Sequence, residues 1–148
     1  MKPCNRFELQ FPALSANEGF ARAAVAAFAA QLDPTVVDLN DFKTAVSEAV
    51  TNCIVHAYKE NIGTVYISAK LFEDGRLTVR VRDKGCGIPN VEQAMEPLFT
   101  TGGSERAGLG FAVMQSFCDT VRVHSNPGSG TSVTLTKHFT RRYPHDKR

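Results

Sequence analysis

A chain of 148 residues with 43% hydrophobic and 22% charged residues has the length of one ordinary domain and the composition of a soluble globular one, which excludes wholesale disorder and a second full domain. The net charge is only +2, and Lys137, Arg141, Arg142, Lys147 and Arg148 hold much of the positive excess at the C-terminal end, so the body lacks the basic face that a nucleic-acid binder needs. Cys4, Cys53, Cys86 and Cys118 form no CxxC pair or Cys/His cluster, which argues against a disulfide framework or a zinc site and for reduced thiols in a cytoplasmic protein.

Residues 6–11 alternate apolar and polar (Phe7, Leu9, Phe11) and read as a strand with one buried face, ended by Pro12. Ser15 with Glu18 three residues later has the form of a capping box, and a helix is expected over 17–31, broken by Asp33-Pro34. Its apolar run, residues 23–30, falls well short of the ~20 residues that span a bilayer. It reads as packed helix, with neither a signal peptide nor a membrane segment expected. Asn40 or Asp41 is expected to cap a second helix reaching about residue 59, with Ala45, Val46, Ala49, Val50, Cys53, Ile54 and Ala57 as its apolar stripe. Residues 64–71 and 77–81 alternate on either side of Glu73-Asp74-Gly75 and predict a hairpin. Residues 83–90 read as loop, 97–107 as a long connection and 108–117 as a helix entered through glycine. A last hairpin is expected from 121–124 and 131–136 around Asn126-Pro127-Gly128. The fold class is therefore α+β: a two-layer sandwich with helices over one face of a mixed, mostly antiparallel sheet, in a single domain over residues 1–139, with residues 140–148 as a flexible basic tail.

Three clusters have chemical potential. Glu48, Asn52 and His56 are four apart and border the apolar stripe, where a helix meets a cleft; the carboxylate can accept a proton and the carboxamide can offer oxygen to Mg²⁺. Spacing alone favours an ordinary solvated helix face, and a helix-edge histidine such as His56 more often packs than reacts. Asp83-Lys84-Gly85-Cys86-Gly87 follows a strand; the acceptor-only carboxylate can take an amino proton from a base, and the glycines let backbone approach a flat ligand. Gly108-Leu109-Gly110 opens a helix behind Thr100, Thr101, Gly102, Gly103 and Arg106, which suits a phosphate chain under a lid. No GxxxxGK[ST] is present, and Val113 stands where GxGxxG would need its third glycine.

The order Glu-x-x-x-Asn, Asp-x-Gly-x-Gly, Gly-x-Gly and Gly130-Thr131 resembles the Bergerat ATP-binding fold of histidine kinases, type II topoisomerases, Hsp90-type chaperones and MutL-type repair proteins. Ala13-Leu14-Ser15, Phe20-Ala21-Arg22, Gln31-Leu32-Asp33-Pro34-Thr35, Val46 through Asn52, Pro97 through Thr101 and Leu135-Thr136-Lys137-His138 narrow the resemblance to the sporulation anti-sigma F factors, over nearly the whole chain except the basic tail. That resemblance implies a homodimeric serine protein kinase that uses ATP, returns ADP and needs Mg²⁺. It would hold a sporulation sigma factor of the sigma F type inactive and phosphorylate a serine on a small anti-anti-sigma factor. By matched position it implies Glu48 as catalytic base, Asn52 as Mg²⁺ ligand, Asp83 with Gly85 and Gly87 at the adenine, and Thr100, Thr101, Gly108, Leu109, Gly110 and Thr131 around the nucleotide. Arg106 would meet the γ-phosphate, and Arg22 would lie on the protein-binding surface. Gly102-Gly103 stand where these relatives carry a lysine in a slightly longer lid, which is expected either to weaken the phosphate contact or to shift it to Arg106. A switch kinase for a stress-response sigma factor, or an ATP-binding regulator without phosphotransfer, remains an alternative; a detached histidine-kinase module would need a dimerisation helix for which the chain has no room.

Overall fold

The structure, a computed structural model, describes residues 1–96 and 105–140, with only the backbone at 105–108. Five strands form one sheet in the order β1-β2-β3-β5-β4: β1 (Asn5–Pro12), β2 (Thr64–Leu71), β3 (Arg76–Arg82), β4 (Thr120–Asn126) and β5 (Gly130–His138). All four pairings are antiparallel, so the expected mixed sheet is an antiparallel one among the described strands. Two pairs are joined by the tight turns expected of them, and β5 returns to lie beside β3.

Alternation decides which face is buried. The registers align Leu9, Ile67, Val81, Val133 and Val123 into one apolar row across the sheet, and Phe7, Ala69, Val79, Leu135 and Val121 into the next. Helices cover this face: α1 (Ala16–Ala29), continued by a 3-10 turn at Ala30–Leu32, α2 (Val36–Thr51) and α4 (Glu105–Phe117). The central helix, α2, packs against α1 on one side and α4 on the other, and buries Phe42, Ala45, Val46, Ala49 and Val50. The opposite face stays polar, with Arg6, Glu8, Gln10, Tyr66, Lys70, Arg80 and Arg82 around an open depression of about 690 Å³. Packing extends to Phe139, whose buried ring meets Phe42 edge-on at 5.5 Å. Of the expected tail, residues 140–148, all but Thr140 lie outside the described residues.

Local differences from expectation have physical causes. No capping box forms: Ser15 is itself helical (φ −54°, ψ −34°) and makes no side-chain cap, while the Glu18 carboxylate pairs with Arg22 at 3.0 Å. The second helix starts before Asn40, at Val36, because extended Thr35 caps it by accepting the Asp38 amide at 3.2 Å. Its first turn exposes Val36 and Val37, which conceals the start from an apolar-periodicity reading. A four-residue helix, α3 (Val91–Ala94), forms where no element was expected; Asn90 caps it by accepting the Gln93 amide at 3.0 Å. No described helix is long and apolar enough to cross a membrane.

Candidate nucleotide site

Glu48 occupies the last turn of α2. Beyond Thr51 the helix widens into a π-helical segment, Asn52–Ala57, rather than continuing as α-helix to residue 59. Asn52 remains one turn beyond Glu48, but His56 no longer stacks over it at α-helical spacing. The widened turn has a visible counterpart in the Asp83 loop, where the Cys86 amide donates to the Ala57 carbonyl at 2.9 Å. Both Glu48 and Asn52 face α4. A Cβ added at Gly110 would lie 3.0 Å from Glu48 Oε2 and 3.6 Å from Asn52 Oδ1. The missing side chain of Gly110 therefore lets α4 approach the two polar groups. Among the described residues, Asn52 Nδ2 is buried with no hydrogen-bond partner.

Asp83 follows the inward positions Val79 and Val81 on the same face of the sheet, and only 5% of it is exposed. Its backbone amide donates to the Thr131 carbonyl at 2.9 Å. Its Oδ1 accepts the amides of Gly85 at 2.9 Å and Thr131 at 3.2 Å. The buried Cys53 thiol is a further hydrogen-bonding neighbour. Burial pushes the Asp83 carboxyl above its ordinary range, while these three hydrogen bonds oppose the shift. Burial also raises the Cys53 thiol well above its usual range, with the Asp83 charge adding to the shift. Cys53 thus stays a protonated donor beside a carboxylate.

Glycines close the backbone around this acid. A Cβ on Gly85 would sit 2.2 Å from the Ala57 carbonyl oxygen, and one on Gly130 would sit 2.2 Å from that of Asp83. Gly87, at φ +76°, would strike the Asn126 carbonyl. The expected pocket glycines pack backbone on backbone and so hold the Asp83 turn against the π-helix and the β4–β5 hairpin. Tyr58 completes the brace: its hydroxyl accepts the Lys84 amide and donates to the Thr64 carbonyl, both at 2.7 Å. A groove of about 430 Å³ opens here between residues 57–63 and 84–86.

Thr131 joins the site through Asp83 and hydrogen-bonds Ser125 at 2.8 Å. Gly108 does not open the helix as expected. Helix α4 begins at Glu105, a stretch of good helix formers, so Gly108 and Gly110 lie within its first two turns. Leu109 is 47% exposed. Thr100, Thr101 and the Arg106 side chain lie outside the described residues, as do residues 97–104 of the expected lid. Arg22 lies apart from the Asp83 turn, on α1, bonded to Glu18 and reaching Ser47 Oγ of α2 at 3.4 Å. The sequence reading missed Cys53, Tyr58 and Ser125 as site residues. Only strand alternation continued past Val123 would have singled out Ser125. The described residues contain no cluster of three or more His, Cys, Asp or Glu side chains able to hold a metal ion.

Known proteins place this geometry in context. Residues 11–137 match the model of the histidine kinase-like ATPase domain. The anti-sigma F factor of Caldanaerobacter subterraneus subsp. tengcongensis is 56% identical over 138 residues, spanning 93% of this chain and 96% of that protein. The anti-sigma F factor of Bacillus subtilis is 52% identical over 139 residues, spanning 93% and 94%. In fold, the chain resembles a Mycobacterium tuberculosis structure of RsbU and RsbW domains, with a TM-score of 0.69 at 21% identity over 97% of this chain and 35% of that one. Full-length ShkA in complex with AMPPNP superposes with a TM-score of 0.60 at 21% identity over 86% of this chain and 31% of that one. By its domain match and by these close full-length relatives, the chain belongs to the histidine kinase-like ATPase domain family, among the anti-sigma F factors.

Proposed function

We propose that this protein is an anti-sigma factor and an ATP-dependent protein serine kinase. It would hold a sporulation sigma factor of the sigma F type inactive and phosphorylate a serine of an anti-anti-sigma factor. The observation that carries the nucleotide reading is the buried Asp83 carboxylate, an acceptor at the end of the covered sheet face, held by the amides of Gly85 and Thr131. It suits the exocyclic amino group of adenine, with Thr131 beside it. Glu48 and Asn52 lie together under Gly110 and suit the phosphate end. Glu48 would receive the proton of the incoming serine hydroxyl while the γ-phosphoryl transfers in line.

Asn52 Oδ1 fits a hard cation, and Mg²⁺ typically binds through few protein oxygens together with substrate phosphates. The cation would neutralise charge on the transferring phosphoryl group. Thr100, Thr101, Gly108, Leu109 and Arg106 would enclose the phosphates, with Arg106 meeting the γ-phosphate. Arg22, already joined to both helices by Glu18 and Ser47, would contribute to the protein-binding surface of a homodimer. Free thiols at all four cysteines suit a cytoplasmic setting.

Incubation with γ-labelled ATP, Mg²⁺ and the candidate anti-anti-sigma factor tests the reading. Acid-stable label on serine is the expected result. ATP binding without transfer would leave a regulatory module, and label on histidine would favour two-component chemistry. Transfer only to the antagonist of a stress-response sigma factor would change the partner and keep the chemistry. Gly110→Ala supplies a geometric check. The added methyl group presses on Glu48 Oε2, and transfer should fall roughly tenfold to a hundredfold as the carboxylate is displaced. Thermal stability should hold, because Ala exceeds Gly in helix propensity by about 1 kcal/mol. Unchanged transfer would show that Glu48 tolerates displacement and would weaken its assignment.

A further inference from the structure

Beyond the apolar rows, the inner face of the sheet ends in a row of polar side chains: Asp83 after β3, Thr131 on β5 and Ser125 on β4. Thr131 and Ser125 are direct cross-strand partners, and Asp83 receives the Thr131 amide. The Ser125 hydroxyl has three neighbours. The Ile88 amide donates to it at 2.7 Å, the Gly130 carbonyl lies 3.1 Å away, and Thr131 Oγ1 lies 2.8 Å away.

Hydroxyl protons determine the directions of these bonds. Ser125 has one proton, and the Gly130 carbonyl can only accept. Donation from Ser125 to Thr131 would instead leave Ser125 Oγ and the Gly130 oxygen in contact without a proton between them. The arrangement that satisfies every contact sends the Ser125 proton to Gly130 and the Thr131 proton to Ser125. Thr131 Oγ1 then has only lone pairs left for a ligand. Asp83 likewise offers only acceptors, and the Gly85 and Thr131 amides are already engaged by its Oδ1.

The geometry points to Ser125 as a specificity-determining residue that orients the Thr131 hydroxyl as an acceptor and so makes the base pocket select a 6-amino purine over a 6-oxo purine. This inference rests on the adenine reading of Asp83. Ser125 acts through Thr131 and is a positioning residue. Acceptors facing position 6 pair with an exocyclic amino group and meet a 6-oxo oxygen lone pair to lone pair, a mismatch that leaves buried polar groups unsatisfied. Without Ser125, the Thr131 proton becomes free to meet that oxygen.

The test compares dissociation constants for ATP and inosine triphosphate, which differ at position 6 and in the proton on N1, in the full-length protein and its Ser125→Ala, Ser125→Thr and Thr131→Val variants. The unsubstituted protein should prefer ATP by about tenfold or more. Ser125→Ala should reduce that preference by roughly fivefold or more, and Ser125→Thr, which keeps a hydroxyl, should restore it. In a Thr131→Val background, Ser125→Ala should have no further effect on the ratio. A preference retained in Ser125→Ala, with both nucleotides weakened equally, would overturn the proposal and leave the adenine reading intact, since loss of the Ile88 contact alone affects both ligands alike. Equal binding of the two nucleotides by the unsubstituted protein would overturn the adenine reading itself. A changed ratio in Ser125→Thr as large as in Ser125→Ala would also reject orientation by the hydroxyl.

Discussion

Glu48→Gln is expected to reduce phosphoryl transfer to the anti-anti-sigma factor by about 10²–10⁴-fold, the usual contribution of a positioned general base. The substitution keeps the size of the side chain and nearly the same helix propensity, so the fold should keep its stability within about 0.5 kcal/mol. The amide can still occupy the space under Gly110 that the carboxylate fills, but it cannot receive the serine proton at neutral pH. ATP affinity should therefore hold while turnover collapses. Single-turnover transfer and an equilibrium nucleotide titration on the same sample separate the two effects. Turnover equal to that of the unsubstituted protein would remove Glu48 as the base and return the site to nucleotide binding alone.

The effect of Asp83→Asn should be the reverse of the usual loss of a buried contact: weaker ATP binding in a protein at least as stable. The new side-chain oxygen can still accept the Gly85 and Thr131 amides, so the turn keeps its frame. What disappears is a buried charge and its second acceptor oxygen. Loss of a charge-assisted hydrogen bond to the base costs about 1.5–3 kcal/mol, or roughly ten- to a hundredfold in affinity.

The pH dependence has a definite sign. Burial raises the Asp83 carboxyl above its ordinary value of 3.8, so the folded protein holds this proton more tightly than the unfolded chain. Between 3.8 and the raised folded value, this group makes stability fall as pH rises, and above that window the cost of the buried charge is constant. The Asp83→Asn substitution removes that dependence, and Tm at neutral pH should stay level or rise. Nucleotide binding by the parent should weaken on acidification at a higher pH than an ordinary carboxylate would impose, because the protonated acid loses acceptor capacity. Unaltered ATP affinity in Asp83→Asn would count against the adenine assignment.

Sequence periodicity revealed the strands more completely than the helix ends. Strand β2 matches its alternating pattern from Thr64 to Leu71, because one buried face imposes a strict period of two. Helix starts depended on single contacts that composition does not rank. Thr35 caps α2 in place of Asn40 or Asp41, and Glu18 pairs with Arg22 instead of closing a box on Ser15. The π-helical segment was hidden for another reason. Its residues fit an α-helical stripe, and what accompanies the widened turn is a distant contact, the Cys86 amide on the Ala57 carbonyl.

The amino-acid sequence by itself determined the residue types of the site: a carboxylate and carboxamide one turn apart, an acid at a strand end, and glycines at fixed intervals. It also determined the α+β class, since alternation and helical stripes are local. Tertiary structure alone decided which of those residues lie together. Gly110 lies against Glu48 and Asn52 where a Cβ would press on them, while Gly85 abuts Ala57, Gly87 abuts Asn126 and Gly130 abuts Asp83, backbone on backbone. Cys53, Tyr58 and Ser125 carry no motif, because a hydrogen bond across strands or between a helix and a loop requires proximity that only the packed sheet and helices supply. The Asp83 turn was legible in the sequence as an acid followed by two glycines; the Ser125–Thr131 hydroxyl pair beside it came into contact only when β4 was set beside β5.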